Sequence, residues 1–585
     1  MVGSSLSTIV IFFPFLLMSG VAGAYFKVLT NTMIITLVCS FFVTWLGLPV
    51  IYLLMPSKSL FARKKALVSA EPAKTVTKQR WVSFFIHRPA ITFLFISFLI
   101  ASIIYIIPKL ETGFLPEMDE GSIVLDYLTP PGTSLEASND MLLEVDKIVN
   151  QIPEVECYSR RTGVQLGFFI TEPNNGDYLI QLKKDRKRTT EEVIEDIRSR
   201  IESTQPALQI DFGQVVGDML GDLMASVQPI EIKIFGNDQA KLEELAKQVS
   251  TLVEKIDGTA DVFDGITIAG PSAEIKPDNA KLAQFGITPD DFQFQMQTHL
   301  EGNMAGSVME KEQLTNIRMI YNEEHSTDLA SMKRLRVFKP DGKLVPVTGL
   351  ASVNLKKGVA EIQRENLHTI AVVTARLSSR DLGSVMKDIQ QKVNTGVSLP
   401  QGYHIVYAGA FAEQQKSFSE LLLILLTASL LVFTVILFLF KDIRISLLIL
   451  FIAVLGVSGS YLALFITGTP LNVGSYTGLI MIIGIIGENA IFTFQQFQTT
   501  LQNSTVDEAI VYAISTRLRP KLMTAIGAII ALMPLALGIG TGSQMHQPLA
   551  IAVIGGFIIA LPLLLVVLPT LLRLTYRNSI TVINK

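Results

Sequence analysis

The sequence predicts a membrane protein that combines a helical multi-span membrane domain with one large α+β domain outside the membrane. Of its 585 residues, 49% are hydrophobic and only 17% are charged, which is too apolar for a soluble chain of this length. Uninterrupted apolar stretches of about 18 residues or more recur along the chain, and each can cross a bilayer as a helix. One long polar segment, residues 108–420, separates two groups of these stretches.

We predict eight membrane-spanning helices from the apolar stretches. The first has no Lys or Arg ahead of it, so it lacks the basic start of a cleavable signal peptide and is interpreted as a span. The predicted spans are residues 6–25, 33–54, 89–107, 421–440, 445–466, 473–494, 522–540 and 549–572. Two therefore fall within residues 1–55, one at 89–107 and five within residues 421–572.

The distribution of basic residues predicts the side of the membrane on which each connection lies. Lys and Arg close to helix ends resist translocation and mark the cytoplasmic side. They are concentrated in a linker at residues 56–88 and in alternate later connections, whereas the opposite connections hold only Lys27. Both ends of the sequence are therefore expected in the cytoplasm and residues 108–420 outside it. The later basic connections carry Lys441 and Arg444, then Arg517, Arg519 and Lys521, and then the tail at residues 573–585.

The segment at residues 108–420 alternates strand-like runs with amphipathic helices. Residues 122–128 and 230–235 have the composition of strands, and helices are predicted near residues 135–152 and 240–256. Repeated strand-helix-strand units predict small α+β sandwiches in which helices cover one face of a mixed sheet. An insertion at about residues 279–363 interrupts the second unit.

The composition argues against several other classes of protein. A net charge of −3 gives no basic excess, so nucleic acid is not an expected partner. The sequence has no Gly-Lys-Ser/Thr phosphate-binding loop, which argues against ATP as an energy source. Its two cysteines cannot form a disulfide framework, and its six histidines lack the spacing of a local metal site. We therefore expect neither a cofactor nor an enzymatic activity.

Five short motifs occur along the chain in a fixed order. They lie at residues 113–121 (GFLPEMDEG), 285–293 (FGITPDDFQ), 518–524 (LRPKLMT), 533–542 (MPLALGIGTG) and 547–556 (QPLAIAVIGG). Together they resemble the resistance-nodulation-division superfamily, and its heavy-metal efflux branch in particular. The resemblance covers essentially the whole chain, and the order of the motifs is more specific than any one of them.

This resemblance implies an inner-membrane efflux permease driven by proton antiport, with a periplasmic porter domain at residues 108–420 and a docking insertion at about 279–363. Members of the family have twelve spans in two similar halves. The eight predicted spans resemble the last eight, so the chain resembles a C-terminal half whose N-terminal half is supplied in cis or in trans. The family further implies a homotrimer in the bacterial inner membrane, surrounded by lipid, with a periplasmic adaptor protein and an outer-membrane channel.

Glu488 is the predicted proton-coupling residue. An ionisable residue inside a span costs about 2.5–3.5 kcal/mol on insertion scales, so function is the default hypothesis for it. The resemblance places Glu488 and Asn489 on the family's tenth helix, opposite an acidic pair on the fourth helix, and Thr524 on the next helix would add a hydroxyl to this network. Two alternatives stay open, namely a carboxylic acid that stays protonated at a helix interface and a cation ligand.

Four residues of the porter segment are candidate ligands for an exported cation. Asp218 and Asp222 are spaced to share one helix face and would offer carboxylates to zinc or cobalt, although acids at this spacing also occur on plain solvated faces. Met219 and Met224 would offer thioethers to monovalent copper, although methionines at helical spacing also pack in cores. The resemblance implies three methionines at or beside Asn175, Gly221 and Ile287, and none of these is methionine.

Three functions therefore remain open at this point. The first is export of heavy-metal cations. The second is export of amphiphilic organic compounds by the same fold, for which Phe168 and Phe169 form the one aromatic pair we can nominate in the porter segment. The third is a truncated or accessory membrane protein, because the loss of four helices would leave apolar faces without partners.

Overall fold

The computed structural model describes residues 9–54, 80–115, 118–165, 169–217, 219, 228–267, 270–320, 329–356, 361–540 and 542–576. Within these ranges, seven helices are long and apolar enough to cross a membrane. They are Phe26–Leu53, Pro89–Lys109, Ala410–Phe440, Ile443–Thr467, Val473–Leu501, Val506–Ala536 and Ser543–Tyr576. Residues 55–79 of the predicted basic linker and residues 577–585 of the predicted tail lie outside the described ranges.

The N-terminal helices differ from the sequence-based prediction, which placed a loop between spans 6–25 and 33–54. The structure instead breaks the chain at Met18 and Ser19, after the short helix Phe13–Leu17, and one continuous helical rod follows. The predicted loop is helical because it contains no Gly or Pro, and the Thr32 hydroxyl donates a 2.9 Å hydrogen bond back to the Val28 carbonyl. This rod comprises Gly20–Phe42, a π-helical turn at Val43–Gly47, and Leu48–Leu54.

The later membrane helices are longer than their apolar stretches. Ala410–Phe440 and Val506–Ala536 begin well before the predicted residues 421 and 522. In the second case, a capping box of Thr505 and Glu508 starts the helix in a polar segment, so the apolar window detects only its later part. The remaining helical pieces of the membrane region are Arg80–His87, Pro89–Ile106, Ile107–Lys109, Ile443–Leu455, Val457–Thr467, Val473–Leu501, Ser543–His546, Gln547–Pro562, Leu563–Val567 and Leu568–Tyr576.

One helix lies at the centre of the membrane region. In Val473–Leu501, 72% of the most apolar stretch is buried within the protein, compared with 11% in Val506–Ala536 and none in Phe26–Leu53. Glycines bring other helices close to one another, since a Cβ on Gly459 would lie 2.4 Å from the Gly555 carbonyl oxygen. The central helix is therefore enclosed, whereas the two peripheral helices leave apolar faces uncovered.

The first α+β unit is a four-stranded antiparallel sheet with two helices on one face. Its strand order is Val155–Thr162, Asn175–Leu182, Ser122–Leu128 and Gln209–Gly213. Helices Leu135–Asn150 and Thr190–Thr204 bury their apolar sides against the sheet and give the unit its own core, which contains Leu125, Leu142 and Ile197. A two-residue pair, Val164–Gln165 with Phe169–Ile170, extends from it.

The second α+β unit contains a five-stranded sheet. Strand His368–Leu377 pairs with Ile230–Phe235 on one side and with Gln363–Glu365 and Thr259–Phe263 on the other, and His404–Ala408 completes the sheet beside Ile230–Phe235. Helices Gln239–Val253 and Leu382–Gly396 cover it, and their core, with Ile232, Val249 and Val385, is separate from that of the first unit. The predicted combination of a helical membrane domain with α+β units is confirmed.

A third, smaller body lies within the second unit and has its own apolar core around Phe292 and Val337. Its helices are Asn279–Gln284, Pro289–Leu300, Leu329–Arg334 and the short turn Val347–Gly349. Its strand pairs are Ser272–Pro277 with Ala351–Lys356, Arg336–Phe338 with Leu344–Pro346, and the exposed hairpin Asn303–Glu310 with Gln313–Met319.

Candidate functional site

Glu488 lies on the enclosed helix Val473–Leu501, and its side chain is half-buried. Two glycines in the turn before it allow close approach of neighbouring segments. A Cβ on Gly484 would lie 2.0 Å from the Ile11 side chain, and one on Gly487 would lie 3.4 Å from the Val432 side chain. Apolar side chains of the N-terminal segment and of helix Ala410–Phe440 therefore pack against the turn that precedes the carboxyl group, which is the environment expected for a titratable membrane acid.

The two residues predicted to assist Glu488 form hydrogen bonds within their own helices. The Asn489 amide donates to the Ile485 carbonyl at 2.8 Å. The Thr524 side chain is exposed, and its hydroxyl lies 3.0 Å from each of the carbonyl oxygens of Pro520 and Lys521. A network that joins these residues to Glu488 stays a prediction.

Lys521 is a buried cation that the sequence analysis placed in a cytoplasmic connection. The helix Val506–Ala536 runs through this position, and Lys521 is only 5% exposed. Its ammonium group has no hydrogen-bond partner among the described residues. One turn earlier, the Arg517 guanidinium lies 5.5 Å from the centre of the Phe492 ring, on the helix that carries Glu488. The motif at residues 518–524 was the available sequence signal for a helix at this position. The concentration of basic residues instead led to the prediction of a cytoplasmic connection.

We expect the substitution Lys521→Met to raise the thermal unfolding midpoint of this 585-residue chain in detergent. Burying a charged group that has no hydrogen-bond partner among the described residues costs free energy, and methionine has a similar length without the charge. The matched control is Lys416→Met, which removes an exposed lysine from another membrane helix and should leave the midpoint unchanged. An equal or lower midpoint for Lys521→Met would contradict the view that burial of this lysine, which has no hydrogen-bond partner among the described residues, destabilises the chain.

A cavity of about 630 Å³ lies between the two α+β units. Both units contribute to its lining, and it is rich in carboxylates, which are Asp126, Glu202, Asp211, Glu254 and Asp261. No lysine or arginine is found among its described lining residues. Since carboxylate oxygens are suitable ligands for divalent cations, the lining favours cationic rather than anionic contents.

Two arginine-aspartate pairs cross between the units at this cavity. Arg198 of the first unit donates to both carboxylate oxygens of Asp261 in the second, at 3.0 and 2.7 Å. Arg376 of the second unit donates to both oxygens of Asp211 in the first, the Nη2 bond measuring 3.1 Å. Burial raises the pKa of Asp261, Arg198 opposes that shift, and the charges of Asp211 and Arg376 also reach this carboxyl group.

Of the four predicted cation ligands, Asp218, Asp222 and Met224 lie outside the described residues. Met219 is described and is 61% exposed. The Glu120 carboxylate accepts hydrogen bonds from the backbone N–H groups of Val216 at 2.8 Å and Gly217 at 3.3 Å, so it anchors the segment that leads to Asp218. In the part of the chain that the structure describes, no three His, Cys, Asp or Glu side chains are grouped closely enough to hold a metal ion.

The sequence matches the AcrB/AcrD/AcrF family over residues 1–575. The chain belongs to this family. Among AcrB/AcrD/AcrF-type relatives, the cobalt-zinc-cadmium resistance protein CzcA of Cupriavidus metallidurans is 27% identical over 97% of this chain and 55% of its own length. The nickel and cobalt resistance protein CnrA of the same organism is 26% identical over 96% of this chain and 53% of its own length. For the cation efflux system protein CusA of Escherichia coli, the identity is 23% over 84% of this chain and 48% of that protein.

A solved family structure, described as a heavy metal efflux pump, is 26% identical and superposes on 98% of this chain and 58% of its own length, with a TM-score of 0.82. The resemblance to resistance-nodulation-division transporters and their heavy-metal branch is therefore confirmed. As a member of the AcrB/AcrD/AcrF family with several helices able to cross a membrane, the chain is an inner-membrane protein. It spans about half the length of the relatives it matches.

Proposed function

We propose that the chain forms the C-terminal half of a permease that exports heavy-metal cations in exchange for protons. The observation that carries this proposal is similarity along nearly the whole chain to proteins named for resistance to cobalt, zinc, cadmium and nickel. The lining of the cavity between the α+β units supports it, because it contains three carboxylates, Asp126, Glu202 and Glu254, beyond the two that arginines bind, and carboxylate oxygens are suitable ligands for divalent cations.

The same cavity favours cation export over export of amphiphilic organic compounds. An amphiphile needs a predominantly apolar and aromatic pocket. Tyr127 and Phe263 are the aromatic side chains among the described lining residues, which also include five carboxylates. Phe168 and the side chain of Phe169, the aromatic pair suggested by the sequence, lie outside the described residues.

In the proposed cycle, Glu488 takes up and releases the proton, supported by Asn489 and Thr524. The start of the helix that carries Glu488 is hydrogen-bonded to the segment entering the first α+β unit. The Leu471 N–H donates to the Glu111 carbonyl at 2.7 Å, and the Gly113 N–H donates to the Leu471 carbonyl at 3.2 Å. A displacement of this helix on protonation is therefore transmitted directly to residues 111–113.

Two further contacts extend this path. The Thr112 N–H donates at 3.3 Å to the carboxylate of Asp381, which caps helix Leu382–Gly396 of the second unit. The Asp119 N–H donates at 2.7 Å to Gln544, in the connection that precedes the last membrane helix. Hydrogen bonds therefore connect both α+β units to the membrane helices or to the segments that adjoin them. These connections support alternating access driven from the membrane domain.

The working pump would need partners beyond this chain. We propose that the missing N-terminal half, in cis or in trans, covers the exposed apolar faces of Phe26–Leu53 and Val506–Ala536, with lipid around the assembly. By analogy with the family, the assembly would be a homotrimer joined to a periplasmic adaptor protein and an outer-membrane channel. We propose a transport activity rather than an enzymatic one.

The test is metal and drug tolerance in an efflux-deficient bacterial host that expresses this chain with and without a candidate N-terminal half. We expect tolerance to zinc, cobalt or cadmium to rise only when both halves are present. Tolerance that rises for organic drugs alone would support the amphiphile exporter. No change with any compound would leave the truncated or accessory protein as the better account.

The segment at residues 218–224 can be tested by two matched double substitutions. We expect Asp218→Asn with Asp222→Asn to abolish tolerance to zinc and cobalt in the complete pump, because both candidate carboxylate ligands are lost. Met219→Leu with Met224→Leu should leave zinc tolerance intact, because leucine replaces thioethers that zinc does not require. The reverse pattern, with silver or copper tolerance lost only in the methionine variant, would indicate a thioether site.

A further inference from the structure

The two arginine-aspartate pairs between the α+β units are reciprocal. Each unit contributes one arginine and one aspartate, so the positive and negative charges of the two pairs balance. Arg198 and Asp261 have side chains that are 12% and 4% exposed, and Arg376 and Asp211 have side chains that are 16% and 25% exposed. Each arginine binds its carboxylate with a two-pronged fork, which fixes orientation as well as distance.

The described residues of the two units share no buried apolar cluster, so polar contacts such as these pairs help to hold the units together. The buried apolar residues of the first unit form one cluster and those of the second unit form another. Polar interfaces between separately folded units commonly allow relative motion. Here the Arg198–Asp261 pair joins residues 63 positions apart in sequence, and the Arg376–Asp211 pair joins residues 165 positions apart.

Both aspartates also line the cavity, so the two pairs lie at its wall. Gln228, at the start of the second unit, donates a further hydrogen bond to Asp211. The backbone of Asp261 has a φ of 47°, in the left-handed region, where aspartate is among the non-glycine residues found most often.

We propose that the pairs Arg198–Asp261 and Arg376–Asp211 form a double latch that holds the cavity between the units closed and must release for the units to separate. The biological role of the latch, which is to control access to the cavity, rests on the proposed function. Its mechanism requires only the two charge pairs. Removal of both arginines therefore separates the units even when no cation is transported.

The latch can be tested by measuring the distance between the two units by pulsed electron paramagnetic resonance. Spin labels would be attached to cysteines at Gln151 on the first unit and Gln248 on the second, both of which are exposed. The native cysteines, Cys39 and Cys157, are also exposed and would first be replaced by serine. We expect Arg198→Gln combined with Arg376→Gln to shift the distances to larger and broader values in the full chain.

The matched control is Arg188→Gln. Arg188 binds Glu154 and Asp196 with bonds of 2.5–2.8 Å, but both of these carboxylates belong to its own unit. This control should leave the distance between the units unchanged. A charge exchange, Arg198→Asp with Asp261→Arg in the Arg376→Gln background, should return the distances toward the original values by re-forming one pair.

Unchanged distances in the double arginine variant, or an equal shift in Arg188→Gln, would overturn the latch. If the double arginine variant does not fold, two other proteins are compared: Arg376→Gln with Arg198→Asp, and the same protein with Asp261→Arg added. The added arginine should shorten the distances, and a failure to do so would also overturn the latch. The measurement needs neither metal nor transport. A pump that fails to confer metal tolerance while its distances respond as expected would therefore refute the proposed function and leave the latch standing.

Discussion

The substitution Glu488→Gln is expected to reduce the metal tolerance conferred by the complete pump to that of a host without the pump. Glutamine has nearly the same shape as glutamate and keeps hydrogen-bonding capacity, but it cannot take up and release a proton. The residue lies half-buried on the most enclosed membrane helix, where apolar segments pack against the preceding turn. In the proposed cycle, loss of proton exchange at Glu488 would remove the driving reaction and leave the structure intact.

Two controls separate a proton-carrying role from a structural one. Glu488→Asp keeps a titratable carboxyl group and should retain part of the tolerance. Asn489→Ala removes a side chain that bonds to the Ile485 carbonyl of its own helix, and it should have a smaller effect than Glu488→Gln. Protein levels in the membrane would be compared by immunoblot. Full tolerance in Glu488→Gln at equal protein levels would favour the alternative of a carboxylic acid that stays protonated.

The membrane helices could be predicted from sequence because about 18 or more consecutive apolar residues carry a strong signal. Their ends could not, because polar segments outside the lipid continue several of the helices, as the capping box at Thr505 shows. The break at Met18 and Ser19 was also missed, although Ser19-Gly20 is a turn signal, because the prediction counted apolar length and the surrounding residues are apolar. Apolar length predicts that a helix exists more reliably than it predicts where the helix begins.

Some residues of the candidate sites could likewise be predicted from sequence, and others could not. Glu488 could be found from sequence because a single carboxylate in an apolar stretch is conspicuous. Lys521 could not, because its neighbours Arg517 and Arg519 made the segment resemble a basic loop. The Arg198–Asp261 and Arg376–Asp211 pairs had no sequence signal, because ion pairs between residues far apart follow no periodicity and depend on how the two units dock.

Helices Val457–Thr467 and Gln547–Pro562 touch through reciprocal glycines. A Cβ on Gly459 would lie 2.4 Å from the Gly555 carbonyl oxygen, and a Cβ on Gly555 would lie 2.4 Å from the Gly459 carbonyl oxygen. The Ser460 hydroxyl donates to the Ala552 carbonyl at 2.6 Å in the same interface. Backbone atoms cannot move aside as a flexible side chain can, so neither position has room for a side chain.

We therefore expect Gly555→Leu to destabilise the membrane region strongly, since overpacking a filled core commonly costs about 1–3 kcal/mol and a backbone clash lies at the upper end. The measurement is the thermal midpoint of the detergent-solubilised chain, followed by size-exclusion chromatography. The matched control is Gly527→Leu, on helix Val506–Ala536, where an added Cβ would meet no atom within 4 Å. That variant should unfold at or slightly above the original midpoint, because glycine is a poor helix former. Equal midpoints for the two variants would mean that the helices can separate at little cost, which is incompatible with the close contact between Gly459 and Gly555.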